Sequence, residues 1–222
     1  SPRRNAMRIV IFGGSGLIGQ GVLLQTLDHP DVSGVLSVGR RRLELEHPML
    51  QQIEHADFLD FAPIAERLSG LDGCFWCLGT ASAGVSEADY TRITVDFTVA
   101  AATVLRERSP DLCFCFVSGA GTDPTEKSQM LWARVKGRAE NALRELGFAR
   151  LVVFRPGFVR ATRGATSRGA VTRGIYAALH PLLRALGAAT TNAAIGDAML
   201  TVTAHGSEHE VLDSRAINQL AG

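Results

Sequence analysis

Long apolar runs are missing from this sequence, although 46% of its 222 residues are apolar. A membrane-spanning helix needs about 20 consecutive apolar residues, so we expect no membrane span. We also expect no secretory signal before Met7, and residues 1–6 are interpreted as a short tail or a cloning remnant. The remaining chain, 7–222, is sufficient for one well-filled core and is predicted to be a single domain.

Charge of either sign is in little excess, because 23 Lys and Arg oppose 22 Asp and Glu and the formal net charge is +1. This balance gives no indication of nucleic-acid binding. Locally the balance is different, since no acidic residue occurs between Leu146 and Gly196. The arginines of that stretch are Arg150, Arg155, Arg160, Arg163, Arg168, Arg173 and Arg184. A mobile lid over an anionic ligand and a solvated loop are both compatible with this pattern.

Cysteine is scarce, and its spacing does not complete a metal site. The four cysteines lie in the apolar runs CFWCL (74–78) and LCFCFV (112–117). Cys74 and Cys77 would point to opposite faces of a strand, and no second CxxC or nearby histidine accompanies them. We therefore predict buried free thiols, a reducing cytoplasmic location and no bound metal.

Tyrosine is also scarce, with only Tyr90 and Tyr176 in the chain. Neither tyrosine has a lysine at helical spacing, so packing or surface exposure is the favoured interpretation for both. Tyr176 lies in a stretch of about 156–195 that we expect to form a small substrate-side cover after the last central strand. The apolar segment that contains it could also form an oligomer contact.

Short continuous apolar runs alternate with helical periodicity along the chain. Buried parallel strands between helices give this pattern, so we predict a doubly wound α/β domain with three α/β/α layers. The predicted strands are 8–12, 35–38, 50–53, 74–78, 112–117, 151–154 and 211–212. The predicted helices are 17–27, 64–68 (weak), 87–108, 127–146 and a closing helix after 212.

The stretch IVIFGGSGLIGQG carries the strongest motif. Gly13, Gly16 and Gly19 follow the first predicted strand and begin the first helix. Glycine allows a tight turn in which backbone amides approach a pyrophosphate, and the helix N-terminus favours its negative charge. This context predicts a dinucleotide site.

Basic residues follow the second predicted strand in SVGRRRLE. An acidic residue at this place usually binds the ribose hydroxyls of NAD, whereas arginine suits the 2′-phosphate of NADP. Arg40 stands there, followed by Arg41 and Arg42. We therefore expect NADP(H) to be preferred over NAD(H); a solvated basic turn is the alternative.

With GGSGLIG, VGRR, CLGT, FVSGAG, WARVKGRAE and FRPGFV on one chain, the sequence resembles the atypical short-chain dehydrogenases/reductases. The resemblance is to their NAD(P)-binding, epimerase-like branch, related to the Tat-interacting oxidoreductase group. It implies a Rossmann fold and a set of cofactor contacts. These implied contacts are Gly13, Ser15, Gly16, Leu17, Ile18, Gly19, Arg40, Arg41, Asp57, Phe58, Leu78, Gly79, Thr80, Lys136, Pro156, Gly157, Phe158 and Val159.

The catalytic positions depart from the family pattern. The family's proton donor is a tyrosine four residues before Lys136, where this chain has Trp132. An indole N–H donates a hydrogen bond but does not exchange a proton as a phenol does. The family's serine usually stands one residue after Ser118, at Gly119. Lys136 and Ser118 are the remaining catalytic candidates, and Trp132 is either a platform beside the substrate or core filling.

Three functions are compatible with these residues. The first is NADP(H)-dependent reduction of a small carbonyl substrate, with a water, Ser118 or the cofactor ribose relaying the proton. The second is a regulatory or sensor module that holds NADP(H) for a protein partner without turnover. Nucleotide-sugar epimerisation is the least favoured, since it needs the tyrosine and a larger substrate domain.

Overall fold

The structure is a computed structural model that describes residues 6–164 and 187–222. One parallel sheet of seven strands organises it, in the order β3-β2-β1-β4-β5-β6-β9. These strands are β1 (Met7–Phe12), β2 (Val32–Gly39), β3 (Leu50–Glu54), β4 (Gly73–Trp76), β5 (Cys113–Val117), β6 (Arg150–Arg155) and β9 (Val211–Asp213). The doubly wound prediction is confirmed, since this is the Rossmann strand order extended by one strand.

Helices cover both faces of the sheet. One face packs against α2 (Glu87–Thr91), a π-helical turn (Arg92–Asp96), α3 (Phe97–Arg108) and α4 (Leu131–Glu145). The other packs against α1 (Leu17–Asp28), α5 (Asn192–His205) and α6 (Ser214–Leu220). A 3₁₀ helix (Ala62–Leu68) precedes β4. The central strands β1, β4 and β5 are almost wholly buried because side chains on both faces meet a helical layer, whereas the edge strands β3 and β9 are largely half-buried or exposed.

The strand order reverses between β1 and β4, which are hydrogen-bonded neighbours although β2 and β3 lie between them in sequence. The connections that follow β1 and β4 leave the sheet toward opposite faces. A crevice therefore forms at the carboxyl ends of β1 and β4, the position at which ligands bind in open α/β sheets.

The predicted helix 127–146 begins later, at Leu131. The carboxylate of Asp123 accepts hydrogen bonds from the backbone N–H groups of Thr125, Lys127 and Ser128. Glu126 has φ 61°, outside the helical region. These bonds hold the preceding residues as a loop, so the helical periodicity before Leu131 was misleading.

Other predicted boundaries also shift. The fourth strand ends at Trp76 instead of residue 78. The helix predicted over 87–108 is present as one helical stretch, in which a π-helical turn lies between α2 and α3. Two features were missed: the helix α5 and a parallel ribbon of β7 (Phe158–Arg160) with β8 (Ala189–Thr191).

Candidate functional site

Glycine is required by contact in the loop after β1. Gly13 has φ +79°, and a Cβ built on it would lie 2.6 Å from the carbonyl carbon of Cys77 at the end of β4. A Cβ on Gly19 would lie 2.0 Å from the carbonyl oxygen of Gly13. Both approaches are to backbone, which cannot move aside as a flexible side chain can. The first turn of α1 is therefore pressed against the loop, and the loop against β4.

The first turn of α1 offers unpartnered backbone donors toward the crevice. The N-cap residue, Gly16, has no side chain to accept them, and its own N–H donates to the Gly13 carbonyl at 3.0 Å. Ser15 is exposed, and Leu17 and Ile18 are half-buried. An uncapped helix start with backbone N–H groups is suited to an anionic group such as a pyrophosphate.

A cavity of ≈ 550 Å³ extends from this loop along the end of β2. Its lining comprises Gly13, Gly14, Ser15, Ser37, Val38, Gly39, Arg40, Arg41, Arg42, Leu43, Phe58 and Leu78. The lining residues include three consecutive arginines and no carboxylate. The structure thus places Arg40 and Arg41 in one cavity with the glycine loop.

Asp57, the predicted adenine contact, does not line this cavity. Its side chain is exposed, and its Oδ1 accepts a hydrogen bond from the backbone N–H of Leu59 at 2.9 Å. The neighbouring Phe58 is buried, lines the cavity and packs edge-on against Phe12. The aromatic ring, instead of the carboxylate, forms the wall at the end of β3.

A second cleft of ≈ 460 Å³ lies beyond the first turn of α1, at the ends of β5 and β6. It is lined by Ile18, Ser118, Gly119, Ala120, Trp132, Pro156, Gly157, Phe158 and Val159. Trp132 therefore stands beside the cleft instead of being core filling alone. Its six-membered ring lies over the loop after β5, because a Cβ on Gly121 would be 3.3 Å from its Cη2 atom.

Lys136 reaches the same region from one turn further along α4. Its ammonium donates to the carbonyl oxygen of Val117 at 2.9 Å and lies 4.9 Å from the centre of the Phe116 ring. A Cβ on Gly79 would lie 3.9 Å from this nitrogen. Burial lowers the pKa of Lys136 from 10.5 to about 8, although the charges of Glu140 and Cys77 oppose the shift.

Ser118 is engaged in a buried polar network. Its hydroxyl donates to Oε1 of Glu140 at 2.6 Å and lies 2.9 Å from the hydroxyl of Thr122, which donates to the Gly119 carbonyl. Glu140 is fully buried and also binds Arg155 through both carboxylate oxygens. This ion pair raises the pKa of Arg155. The Ser118 proton is thereby directed toward Glu140 and away from the cleft.

The remaining predicted contacts flank the two cavities. Leu78 is half-buried, whereas Gly79 and Thr80 after β4 are exposed. Pro156 is buried, and the N–H of Gly157 donates to the Ser214 hydroxyl at 2.9 Å. Of the two tyrosines, Tyr90 is buried in the core and Tyr176 lies outside the described residues.

Two residues that organise the site were missed. Glu140 lies one helical turn after Lys136 and joins α4 to the ends of β5 and β6. Asn192, also fully buried, donates to the carbonyl oxygens of Leu17 and Arg163 and accepts from the backbone of Thr162. The spacing of Glu140 after Lys136 was the available signal, but its partners are distant in sequence.

Metal and membrane features can be stated for the described residues only. Residues 6–164 and 187–222 contain no cluster of three His, Cys, Asp or Glu side chains that could hold a metal ion. The same ranges contain no helix long and apolar enough to cross a membrane. All four cysteines are free thiols; three are buried and Cys77 is half-buried.

Rat protein HTATIP2 is 30% identical to this chain over 219 residues, which cover 96% of this chain and 88% of that protein. The chain belongs to the atypical short-chain dehydrogenase/reductase family. The protein fmp52-2, mitochondrial, from Aspergillus terreus is 28% identical over 152 residues, or 67% of this chain and 66% of that protein. Protein-family models give no match.

Solved structures of two ligand-bound enzymes share the fold. The UDP-N-acetylglucosamine 4-epimerase of Methanobrevibacter ruminantium, in complex with UDP-N-acetylmuramic acid, has a TM-score of 0.68 at 19% identity, covering 95% of this chain and 76% of that one. The Bordetella bronchiseptica enzyme WbmF, in complex with NAD+, has a TM-score of 0.68 at 14% identity, covering 100% and 78%. At these low identities, the TM-scores show that the two enzymes and this chain share a fold.

Proposed function

We propose that this protein binds NADP(H) across the crevice between β1 and β4. The carrying observation is the cavity that joins the glycine loop to Arg40, Arg41 and Arg42. The loop is packed closely enough that a side chain at Gly13 or Gly19 would collide with backbone atoms. Without such side chains, the backbone N–H groups of the loop can approach a pyrophosphate in the crevice. The family relationship and the NAD+ bound by a protein of the same fold support the same cofactor class.

The preference for NADP(H) follows from the charge of the adenosine end. Guanidinium groups present planar donors that match phosphate, and three arginines line the cavity where a carboxylate would favour NAD(H). Asp57, the predicted adenine contact, is exposed, does not line the cavity and accepts a hydrogen bond from Leu59 through Oδ1. Phe58 offers the adenine an apolar ring face in its place.

For activity, we propose slow reduction of a small carbonyl compound in the cleft beside Trp132. The bound cofactor would supply hydride, and the chain would bind and orient the substrate. Lys136 would hold the nicotinamide-side ribose. Trp132 donates a hydrogen bond without releasing a proton, and a bound water or the ribose would supply the proton. General acid catalysis contributes about 10²–10⁴-fold, so its absence slows turnover without abolishing it.

A non-catalytic module that holds NADP(H) for a protein partner is the second candidate. The Ser118–Glu140 hydrogen bond favours it, because it withdraws the last hydroxyl of the cleft lining from proton transfer. Turnover of NADPH with any carbonyl compound would decide against this candidate. A cytoplasmic location and a homo-oligomeric state stay predictions; the fungal relative has the word mitochondrial in its name.

Titration with NADPH and NADH tests the proposed cofactor. We expect NADPH to bind more tightly, and Arg40→Ala with Arg41→Ala to weaken NADPH binding about 10–100-fold, since a hydrogen bond to a charged group contributes about 1.5–3 kcal/mol. NADH binding should change little. Arg108→Ala is the matched control, because Arg108 pairs with Glu66 outside both cavities. Equal losses for both cofactors would contradict the assignment.

A further inference from the structure

Apolar side chains form much of the described lining of the cleft beside Trp132. Ile18 contributes from α1, Trp132 from α4, and Pro156, Phe158 and Val159 from the chain after β6. Gly119, Ala120 and Gly157 add mainly backbone. Binding to apolar side chains is favourable for an apolar ligand, because its surface is removed from water. These side chains offer no hydrogen bond to a hydroxyl or charged group that loses its water.

Among the described lining residues, no side chain is charged, and the single hydroxyl is already bonded. Ser118 donates to Glu140. Two cations at the ends of β5 and β6 are also engaged, since Lys136 donates to the Val117 carbonyl and Arg155 to Glu140. Among the described lining residues, a carboxylate or a polyhydroxylated compound would thus find the indole N–H of Trp132 as its one free side-chain donor and no charged partner.

Trp132 provides a fixed aromatic surface. A Cβ on Gly119 would lie 3.6 Å from its Cζ3 atom, and one on Gly121 would lie 3.3 Å from its Cη2 atom. The indole therefore packs against two residues of the loop after β5 that have no side chain. The indole N–H has no hydrogen-bond partner within residues 6–164 and 187–222, which leaves it available to a ligand oxygen. Aromatic ligands stack on such a surface with more attraction than buried area alone gives.

The volume of the cleft can be compared with the size of a ligand. A cavity of about 150 Å³ holds one benzene ring, so a cleft of ≈ 460 Å³ has room for about three rings. One of these volumes is required by a nicotinamide ring. The remainder accommodates a compound of one or two rings.

We infer that this cleft selects a neutral aromatic carbonyl compound of one or two rings as the substrate, stacked on Trp132. The inference rests on the proposed function in one respect: the ligand must carry a carbonyl group, and so be a substrate, only if hydride is transferred to it. Its physical basis, the lining that the described residues form without a charged side chain, is present whether or not a cofactor is bound. Binding can therefore be measured with and without cofactor.

The test compares three probes by ligand-observed NMR titration: acetophenone, its charged analogue 4-acetylbenzoate, and dihydroxyacetone. Each is titrated into the full chain with NADP+ and without it. We expect acetophenone to bind at least tenfold more tightly than either other probe in the NADP+ complex. Equal or tighter binding of 4-acetylbenzoate or dihydroxyacetone would overturn the inference.

Variants assign the selectivity to the indole. Trp132→Ala should weaken acetophenone binding about tenfold, whereas Trp132→Phe, which keeps a ring, should stay within about threefold of wild type. Met130→Ala is the matched control, because Met130 is 58% exposed at the start of α4 and does not line the cleft. If Trp132→Ala fails to fold, the Trp132→Phe and wild-type selectivities still decide.

The outcomes separate this inference from the proposed function. If NADP+ binds and the three probes bind alike, the substrate class is wrong and the cofactor assignment stands. If NADP+ does not bind, the proposed function fails, and the probes are judged on the cofactor-free chain by the same tenfold criterion.

Discussion

The carboxylate of Glu140 binds the guanidinium of Arg155 at two points, with Nε–Oε1 2.9 Å and Nη2–Oε2 2.5 Å. Glu140 is entirely buried on α4, and Arg155 ends β6. With the bond from Ser118 to the same carboxylate, this pair joins α4 to the ends of β5 and β6, where the cleft lies.

Glu140→Gln is expected to lower the free energy of unfolding by about 3 kcal/mol, because removing one partner leaves the other charge partly buried without compensation. Urea denaturation measures the change. Glu87→Gln is the control, since Glu87 pairs with Arg134 at a side-chain exposure of 55% and such pairs contribute under about 1 kcal/mol. Equal losses in the two variants would show that the buried pair has no special role.

Gly19→Ala is expected to weaken dinucleotide binding at least tenfold and to cost roughly 1–3 kcal/mol of stability, because the new Cβ would lie 2.0 Å from the Gly13 carbonyl. Helix propensity alone predicts a gain instead. Gly34→Ala in β2 is the control: no atom lies within 4 Å of its added Cβ, and stability should stay level or rise by about 0.5–1 kcal/mol. Cofactor titration and thermal melting measure both variants.

Trp132→Tyr restores a phenol four residues before Lys136. We expect NADPH-dependent reduction of acetophenone to become about 10²-fold faster, at the lower end of what general acid catalysis contributes. The absorbance of NADPH follows the reaction. Trp132→Phe, which has the ring without the hydroxyl, should not accelerate. If the tyrosine variant binds NADPH normally and reacts no faster than the phenylalanine variant, the position is not that of the proton donor.

Lys136 should make stability depend on alkaline pH. Its pKa is about 8 in the folded chain and 10.5 ordinarily, so between these values the unfolded chain holds a proton that the folded chain has released. Stability from this group therefore rises with pH across that window. Between pH 7 and 10, wild type should gain on the order of 1 kcal/mol relative to Lys136→Met. Urea denaturation at each pH measures this.

The exposed Lys127 provides the control for that experiment. Lys127→Met removes the same charge from the loop before α4 and should give a pH profile parallel to wild type. Parallel profiles for Lys136→Met would mean that its ammonium is as well solvated in the folded chain as in the unfolded one.

Local chemistry decided what the sequence could predict. The glycine loop and the arginines after β2 were recognisable because each motif depends on neighbours in sequence, and the doubly wound parallel sheet followed from apolar runs alternating with helices. The spacing of Trp132 and Lys136 on one helix also needed no tertiary information.

Features that depend on distant partners were not predictable. The role of Glu140 is set by residues 15 and 22 positions away. The start of α4 was missed for a local reason, because the side chain of Asp123 holds the backbone before the helix as a loop and apolar periodicity does not register this. The ribbon of β7 and β8 has strands of three residues, too short for a periodic signal. Helix α5 was missed because apolar residues surround it without a clear polar face.

Asn192 gives the cofactor crevice and the cover a common anchor. One amide group holds Leu17, in the first turn of α1, and the backbone of Thr162 and Arg163, where the chain leaves the ribbon. Gly164 then passes so close to Gln20 that a Cβ would lie 2.5 Å from its amide oxygen, while Gln20 itself donates to the Ser15 carbonyl. Two amide side chains, those of Asn192 and Gln20, thus connect the chain around Gly164 with the first turn of α1 and the glycine loop.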